Sequence, residues 1–304
     1  MSGPFVTVLL ATYNGALFLP EQLDSLSTQR RRPDKLVLRD DGSSDNSVEL
    51  VCKWGLEVGI PVKILKSHGR LGPARSFLEM VRAAGAADVY MFCDQDDVWL
   101  PEKIDRAVCA IYGSSSDVPH LYATRLRIVN ERLQWLRDSP IPTELSFASA
   151  VCESVLTGCT MAFNAALAKH LCSEPPRFLI MHDWWAYLIA AGCGRVSFDS
   201  QPSLLYRQHG SNALGAGPRG LAKLGARVST FLGKNSAQRS LQLVELLRLH
   251  GSALFPSAYQ LAVMLTSGVC DAGLRTRAAL LAPIRRQTML STLSTRLSIL
   301  TNRF

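Results

Sequence analysis

Val89-Tyr90-Met91-Phe92-Cys93-Asp94-Gln95-Asp96-Asp97-Val98-Trp99-Leu100-Pro101 sets an apolar run directly against three carboxylates. A run this short, followed at once by charge, predicts a buried strand at Val89–Cys93 whose carboxyl end carries the acids. Upstream the same grammar repeats. Phe5–Ala11 is a short apolar run rich in β-branched residues, and Lys35–Arg39 and Val62–Leu65 are two more candidate strands. Helical spacing falls between them, over Leu17–Gln29, from Ser43-Ser44-Asp45 to Trp54, and over Ala74–Ala84. Ser43 and Asp45 are candidate N-caps for the second of these. A βαβαβ rhythm predicts an α/β fold, with a mostly parallel sheet covered by helices on both faces.

In open sheets of this kind ligands bind outside the carboxyl ends of the strands. Here those ends are Ala11-Thr12-Tyr13-Asn14, Asp40-Asp41-Gly42 and Asp94-Gln95-Asp96-Asp97. A tyrosine and two acidic clusters are therefore expected on one edge. Three carboxylates within four residues repel one another unless a cation or hydrogen bonds compensate, and oxygen ligands of this type suit magnesium or manganese. The competing reading is a solvated turn before the helix that follows Pro101. Asp40 and Asp41 offer acceptors for a nucleobase N–H or a ribose hydroxyl.

Downstream, Leu121–Val129, Val155–Phe163, Arg195–Phe198 and Ser203–Tyr206 read as strands, and Trp184–Ala191 as a helix opened by Asp183. Asp183 can act as an N-cap, as a base, or as both at once. Trp184 and Trp185 offer a ring for sugar stacking, with at least one of them expected in the core. Gly210–Gly220, with four glycines and a proline, reads as a mobile loop, and the remainder as helices.

The 304 residues are 47% apolar, enough for a sizeable core, and their net charge of +8 is unevenly placed. Residues 221–304 hold 11 basic and 2 acidic residues, leaving 22 and 23 to residues 1–220. The chain thus reads as a catalytic domain over 1–212, a glycine-rich loop over 213–220 and a basic helical extension over 221–304. Leu290, Leu293, Leu297 and Leu300 recur at helical spacing with Arg286, Arg296 and Arg303 nearby. That pattern fits a helix lying on an anionic membrane surface, or one packed on the domain or on a partner. Leu249–Cys270 lacks charged residues, but Pro256, Gln260 and His250 make it a poor membrane span, so a buried or interfacial helix is expected. The basic tail lacks the interleaved aromatics of a nucleic-acid binder, and none is expected as a partner. Met1–Thr12 has no basic n-region and does not read as a signal peptide. Eight scattered cysteines without C-x-x-C spacing read as buried thiols in a reducing cytosol. No G-x-x-x-x-G-K-[ST] loop or G-x-G-x-x-G turn is present, against an NTPase or a dehydrogenase.

Six segments in order resemble the family 2 glycosyltransferases, and within them the bacterial rhamnosyltransferase-like members. They are Leu9–Gly15, Leu38–Asp45, Phe92–Pro101, Leu156–Asn164, His182–Trp185 and Tyr206–Asn212, covering roughly residues 5–213. The resemblance implies the GT-A fold and inverting transfer of a sugar, rhamnose being the candidate, from a dTDP- or UDP-linked donor. The acceptor would be a saccharide or lipid-linked glycan in bacterial surface polysaccharide synthesis, at the cytoplasmic side. It implies that Thr12 and Tyr13 meet the donor, Tyr13 packing on the nucleobase, and that Asp41 reads the base with Asp40 beside it. Asp94 would lie near the ribose or a divalent metal, Asp96 would bind the metal with His209 as a late ligand, and Asp97 would stand behind them. Asp183 falls where the family places its general base. The family often has G-x-x-x-N after the third strand; here Gly72-Pro73-Ala74-Arg75-Ser76 leaves Arg75 as the donor-facing candidate. The rival classes are a catalytically idle nucleotide-sugar-binding scaffold and a sugar nucleotidyltransferase. A complete Asp94/Asp96/Asp183 set argues against the first, and Tyr13-Asn14-Gly15 in place of a basic glycine-rich loop argues against the second.

Overall fold

A computed structural model describes residues 3–66, 69–112, 117–209, 238–267 and 271–304. The loop expected at 213–220, the whole of Gly210–Gly220 with it, and Cys270 lie outside these residues. The first half alternates as its sequence does: β1 (Val6–Thr12), α1 (Leu19–Ser27), β2 (Lys35–Asp40), α2 (Ser47–Val58), β3 (Val62–Leu65), α3 (Pro73–Ala83) and β4 (Val89–Cys93). The four strands run parallel in the order β3-β2-β1-β4. Thr12 pairs with Asp40, and Leu10 with Cys93. This register brings Tyr13, Asp41 and Asp94 out at one edge.

β1, β2 and β4 are buried on both faces, which is why they read as nearly continuous apolar runs, whereas β3 at the sheet edge has no fully buried residue. In β1, Val8 and Leu10 face a core with Leu19, Leu23 and Trp54, while Leu9 faces Phe77, Val81 and Trp185. The expected caps of α2 are displaced. The helix starts at Ser47, with Asn46 at the N-cap, and Asp45 instead accepts from the Ser47 N–H and hydroxyl.

The second half departs from parallel order. β5 (Val98–Trp99) and α4 (Lys103–Tyr112) lead to β6 (His120–Val129), against which β7 (Trp135–Asp138) turns back. The expected strand over Val155–Phe163 is mostly a turn. After the short helix α5 (Phe147–Ala150), a 3-10 turn at Gly158–Thr160 precedes the three-residue β8 (Ala162–Asn164). The turn is closed by the Met161 N–H on the Gly158 carbonyl, and the Gly158 N–H goes to Asp183 in place of a ladder partner. Then come α6 (Ala165–Leu171), α7 (His182–Cys193) and β9 (Arg195–Arg207). The two strands expected within 195–206 are one, its pairing with β6 shifting between Asp199 and Pro202, where proline has no N–H to give. β8 joins the parallel set antiparallel to β4, and the sheet continues β8-β6-β9-β5.

After residue 237 the chain forms α8 (Gln238–His250), α9 (Pro256–Ser267), α10 (Ala272–Leu281) and α11 (Met289–Leu300). Leu249–Cys270 is therefore not one helix but the end of α8, a break and α9. Among the described residues no helix is long and apolar enough to cross a membrane. These helices share their core with α7: Leu243, Leu246, Leu261 and Leu265 pack in one cluster with Trp185, Leu188 and Ile189. At Gly192 a Cβ would stand 2.6 Å from Leu254 and 3.1 Å from Phe147, so that glycine lets the extension close on α7. The seven described cysteines are free thiols, but Cys109 is exposed and Cys52, Cys172 and Cys193 are half-buried, contrary to uniform burial.

Candidate active site

A cavity of about 660 Å³ opens at the edge where the parallel strands end. Its walls include Thr12, Tyr13, Asp41, Arg70, Asp94 and Asp96, together with Thr157, Gly158, His182, Asp183 and His209. The sequence-derived candidates thus converge, with two exceptions.

The first exception is Asp40. Its carboxylate is filled by its own loop, accepting from the Thr12 and Ser43 hydroxyls (2.8 and 2.5 Å) and from the N–H groups of Gly42 and Ser43 (3.0 and 2.7 Å). These donors outweigh burial and hold its pKa below the ordinary value. Asp40 builds the turn and does not line the cavity. The second exception is Arg75, which sits exposed in the first turn of α3 while Ser76 faces the cavity. A helix starting at Pro73 puts neighbouring residues about 100° apart, so Arg75 and Ser76 cannot share a face.

Asp41 accepts from the N–H groups of Leu71 and Gly72 (2.7 and 2.8 Å), the latter at a φ of 74° that favours glycine. It thereby shapes the loop carrying Arg70, whose guanidinium lies 4.0 Å from the centre of the Tyr13 ring. Tyr13 is itself held by Gln95, which accepts from its N–H at 2.8 Å and donates to its carbonyl at 3.0 Å. A side chain at Gly15 would overlap Gln95, its Cβ only 2.2 Å from Oε1. Arg70 and Gln95 were not singled out from sequence; both contacts span loops, where no periodicity signals them.

The Asp94–Asp97 cluster is differently placed. Asp96 Oδ2 is 2.8 Å from His209 Nε2, and His209 stacks against Phe18 with ring centroids 4.5 Å apart. Arg207, fully buried, donates to the Asp96 carbonyl at 3.0 Å and pairs with Glu21, fixing the segment from behind. Burial, with the charges of Asp96 and Asp183, pushes Asp94 up to about 7. Asp97 is completely buried, and neither of its oxygens meets an N–H or O–H donor. What it faces is the Cys159 thiol, which with Asp94 and Asp97 forms a tight set of possible ligand atoms. Burial drives both Asp97 and Cys159 well above their ordinary values. Lys103, brought down to about 8 by burial, donates to the Cys159 carbonyl at 2.8 Å instead of pairing with a carboxylate.

Packed carboxylates with orphaned oxygens fit a cation: Asp94, Asp97 and Cys159 each bring a ligand atom within 4.8 Å of the others, while Asp94, Asp96 and His209 line the cavity. The Asp94/Asp97/Cys159 set needs a thiolate that its burial opposes. Asp94, Asp96 and His209 give oxygen and imidazole ligands on the cavity wall, which suit manganese or magnesium.

Asp183, also on the cavity wall, lies inside the first turn of α7, not at the N-cap, which is Met181. One carboxylate oxygen accepts from the Gly158 N–H at 3.1 Å and the other from the Trp184 N–H at 2.6 Å. Burial outweighs these bonds and raises its pKa to about 6. His182 stacks on Phe77 with centroids 4.0 Å apart, and burial takes it down to about 3, so it is a neutral spacer behind Asp183. A Cβ at Gly158 would come within 2.7 Å of His182 Nε2. Neither Trp184 nor Trp185 is a cavity wall: Trp184 donates its indole N–H to the Ala150 carbonyl, and Trp185 is core.

The family model for glycosyl transferase family 2 matches residues 7–168, more than half of the chain, which therefore belongs to that family and is a glycosyltransferase. It is 28% identical over 226 residues to a dTDP-rhamnosyl transferase, RfbG, of Shigella flexneri, covering 68% of this chain and 74% of that one. An uncharacterized glycosyltransferase of Nostoc, alr2836, is 26% identical over 217 residues, covering 68% and 66%. Among solved structures, TarS residues 1–349 of S. aureus in complex with UDP-GlcNAc superposes with a TM-score of 0.58 at 17% identity, over 98% of this chain and 89% of that one. The mannosyltransferase PcManGT of Pyrobaculum calidifontis, in complex with GDP-Man and Mn2+, gives 0.52 at 18% identity, over 99% and 87%. The fold is GT-A.

Proposed function

We propose that this glycosyltransferase moves a sugar, rhamnose on a dTDP carrier being the first candidate, by a single inverting displacement onto a saccharide or lipid-linked glycan. The work would belong to bacterial surface polysaccharide synthesis at the cytoplasmic face of the plasma membrane. The observation that carries the reading is one cavity lined both by an under-compensated acidic cluster and by a separate carboxylate, Asp183, raised to about 6. The rhamnose and dTDP assignments rest on similarity to the Shigella relative.

The nucleotide would lie on the Thr12–Tyr13 side, with the base between the Tyr13 ring and the Asp41–Arg70 loop. Asp94, Asp96 and His209 would hold a divalent cation beside the diphosphate. Bound there, such a cation supplies neutralisation of the charge that develops on the departing diphosphate. Asp183 takes the proton from the acceptor hydroxyl as that oxygen attacks the anomeric carbon. A base at about 6 is mostly ionised at neutral pH and still basic enough to be effective. The Gly158 N–H holds Asp183 in place and leaves lone pairs for the acceptor.

The test is a donor-hydrolysis screen across nucleotide sugars with manganese or magnesium, followed by NMR of the product's anomeric configuration. Turnover of a dTDP- or UDP-sugar with inversion is the expected result. A retained configuration would overturn the single displacement. Binding without any turnover, under every donor and metal, would make the protein a scaffold.

A further inference from the structure

Helix α11 is built inside out. Its buried residues are Thr295, Ser298 and Ile299, whereas Met289, Leu290, Leu293, Leu297 and Leu300 are exposed. A helix serving only to cover a domain turns its apolar stripe inward. The same inversion appears in α10, which buries Ala278 and Ala279 and exposes Leu274, Leu280 and Leu281. Leu280, Leu281, Met289 and Leu290 flank the α10–α11 turn and are 64–84% exposed.

This turn is not loose. Arg286 pairs with Glu153 at 2.5 Å, and Gln287 bonds to Glu153, Thr143 and Glu144. Arg296 caps the end of α10 through the carbonyls of Ala279, Leu280 and Ala282. Arg286 and Arg296, which the sequence offered as the basic side of a membrane helix, are thus internal fasteners. The exposed cations are Arg277 and Arg285, and residues 272–304 contain no Asp or Glu. Glu153, the acid fastened to the turn, is already neutralised by Arg286, and four residues on from it Thr157 enters the cavity wall.

We infer that the α10–α11 hairpin is a membrane-docking surface that seats its leucines at the headgroup boundary of an anionic bilayer, with Arg277 and Arg285 against the lipid phosphates. Apolar residues with exposed arginines beside them, and Asp271 at the N-cap of α10 as the one acid, match such a surface in both polarity and charge. Pairing of two copies through this face would instead bring arginines together with Asp271 as the one carboxylate of the hairpin to meet them. The inference gives a surface to the membrane-side location proposed above, yet it stands apart from the reaction because lipid binding needs no donor.

The experiment is co-sedimentation of the full chain with phosphatidylcholine vesicles, with and without phosphatidylglycerol, at low and high salt. Wild type should bind the anionic vesicles reversibly and lose most of that binding at high salt. Leu281→Gln with Leu290→Gln should weaken binding about tenfold or more. Arg277→Gln with Arg285→Gln should weaken it roughly tenfold at low salt and remove its salt dependence. Both variants should keep wild-type donor hydrolysis in free solution, since neither pair lines the cavity. No vesicle binding by wild type, or equal binding by wild type and both variants, would overturn the inference. So would concentration-dependent dimers that the leucine variant abolishes, without lipid binding, because the occupant would then be a second copy.

Discussion

Asp40-Asp41 and Asp94-Gln95-Asp96-Asp97 follow two strands of the parallel set, β2 and β4, on either side of β1, and look alike on paper. The chain treats them in opposite ways. Asp40 receives three donors from its own turn and a fourth from Thr12 at the end of β1, and Asp41 two backbone N–H groups from the Arg70 loop. Asp97 receives none from nitrogen or oxygen, and Asp94 is pushed up by burial and by neighbouring carboxylates. One cluster is an architectural turn whose charge is consumed locally. The other packs three carboxylates together, two of them pushed up by burial and by neighbouring charge, with Asp94 and Asp96 on the cavity wall. A carboxylate's use at a strand end is thus decided by whether backbone N–H groups wrap around it.

The sharpest way to break this contrast is at Asp96. Asp96→Ala should abolish metal-dependent donor binding while leaving the fold intact, as read by calorimetric titration of a nucleoside diphosphate with and without manganese. Wild-type binding and activity of that variant in EDTA would return the second cluster to the status of a solvated turn. Next in size, Asp183→Asn should retain donor binding and lose about two to four orders of magnitude in transfer rate. Transfer at the wild-type rate would leave Asp183 as a helix-start residue only.

Asp183 also yields a pH dependence with opposed signs. Its folded value of about 6 lies above the unfolded value near 3.8, so the folded chain holds an extra proton between the two. Stability from this group is therefore greatest below about 4, falls as pH rises toward 6, and is flat beyond, a swing on the order of 3 kcal/mol at most. Transfer should move the other way, rising with pH through about 6 as the base ionises. Unfolding free energies across this range should slope more steeply for wild type than for Asp183→Asn. Parallel slopes would show that the carboxylate is not held in the cavity wall.

A smaller effect separates the clusters through stability alone. Asp40→Asn places amide hydrogens against a ring of donors and should cost about 1–3 kcal/mol. Asp97→Asn breaks no such bonds, so without added metal its loss in denaturant unfolding should be the smaller of the two. The reverse order would mean that the turn around Asp40 is not what the carboxylate holds.

The parallel half was legible because buried strands and amphipathic helices carry their period in the chain itself, and because parallel register pairs Thr12 with Asp40 and Leu10 with Cys93, so that the strands end within two residues of one another. Legibility fails where a contact far along the chain overrides local pattern. Val155–Phe163 has strand composition, yet Gly158 gives its N–H to Asp183, 25 residues on. Arg286 and Arg296 look like surface charge and are fasteners to Glu153 and to the end of α10. Asp97 read as a residue behind the metal ligands; its lack of donors appears only when Cys159 and Lys103 are folded around it.

Arg70 supplies the mildest test, on the side where charge is already satisfied. Its guanidinium stands over the Tyr13 ring but is two-thirds exposed, and its approach to Asp41 is a loose 4.0 Å. A cation over an aromatic face at an exposed site is worth about 0.5–1 kcal/mol, so Arg70→Ala should weaken nucleoside diphosphate binding about two- to fivefold. Arg70→Lys should recover little, since a compact ammonium cannot lie flat between ring and base. The loss should be the same with manganese as in EDTA, because Arg70 belongs to the nucleotide wall and not to the acidic one. If the loss appeared only with metal present, Arg70 would be reaching the diphosphate, and the division of labour between the two clusters would have to be redrawn.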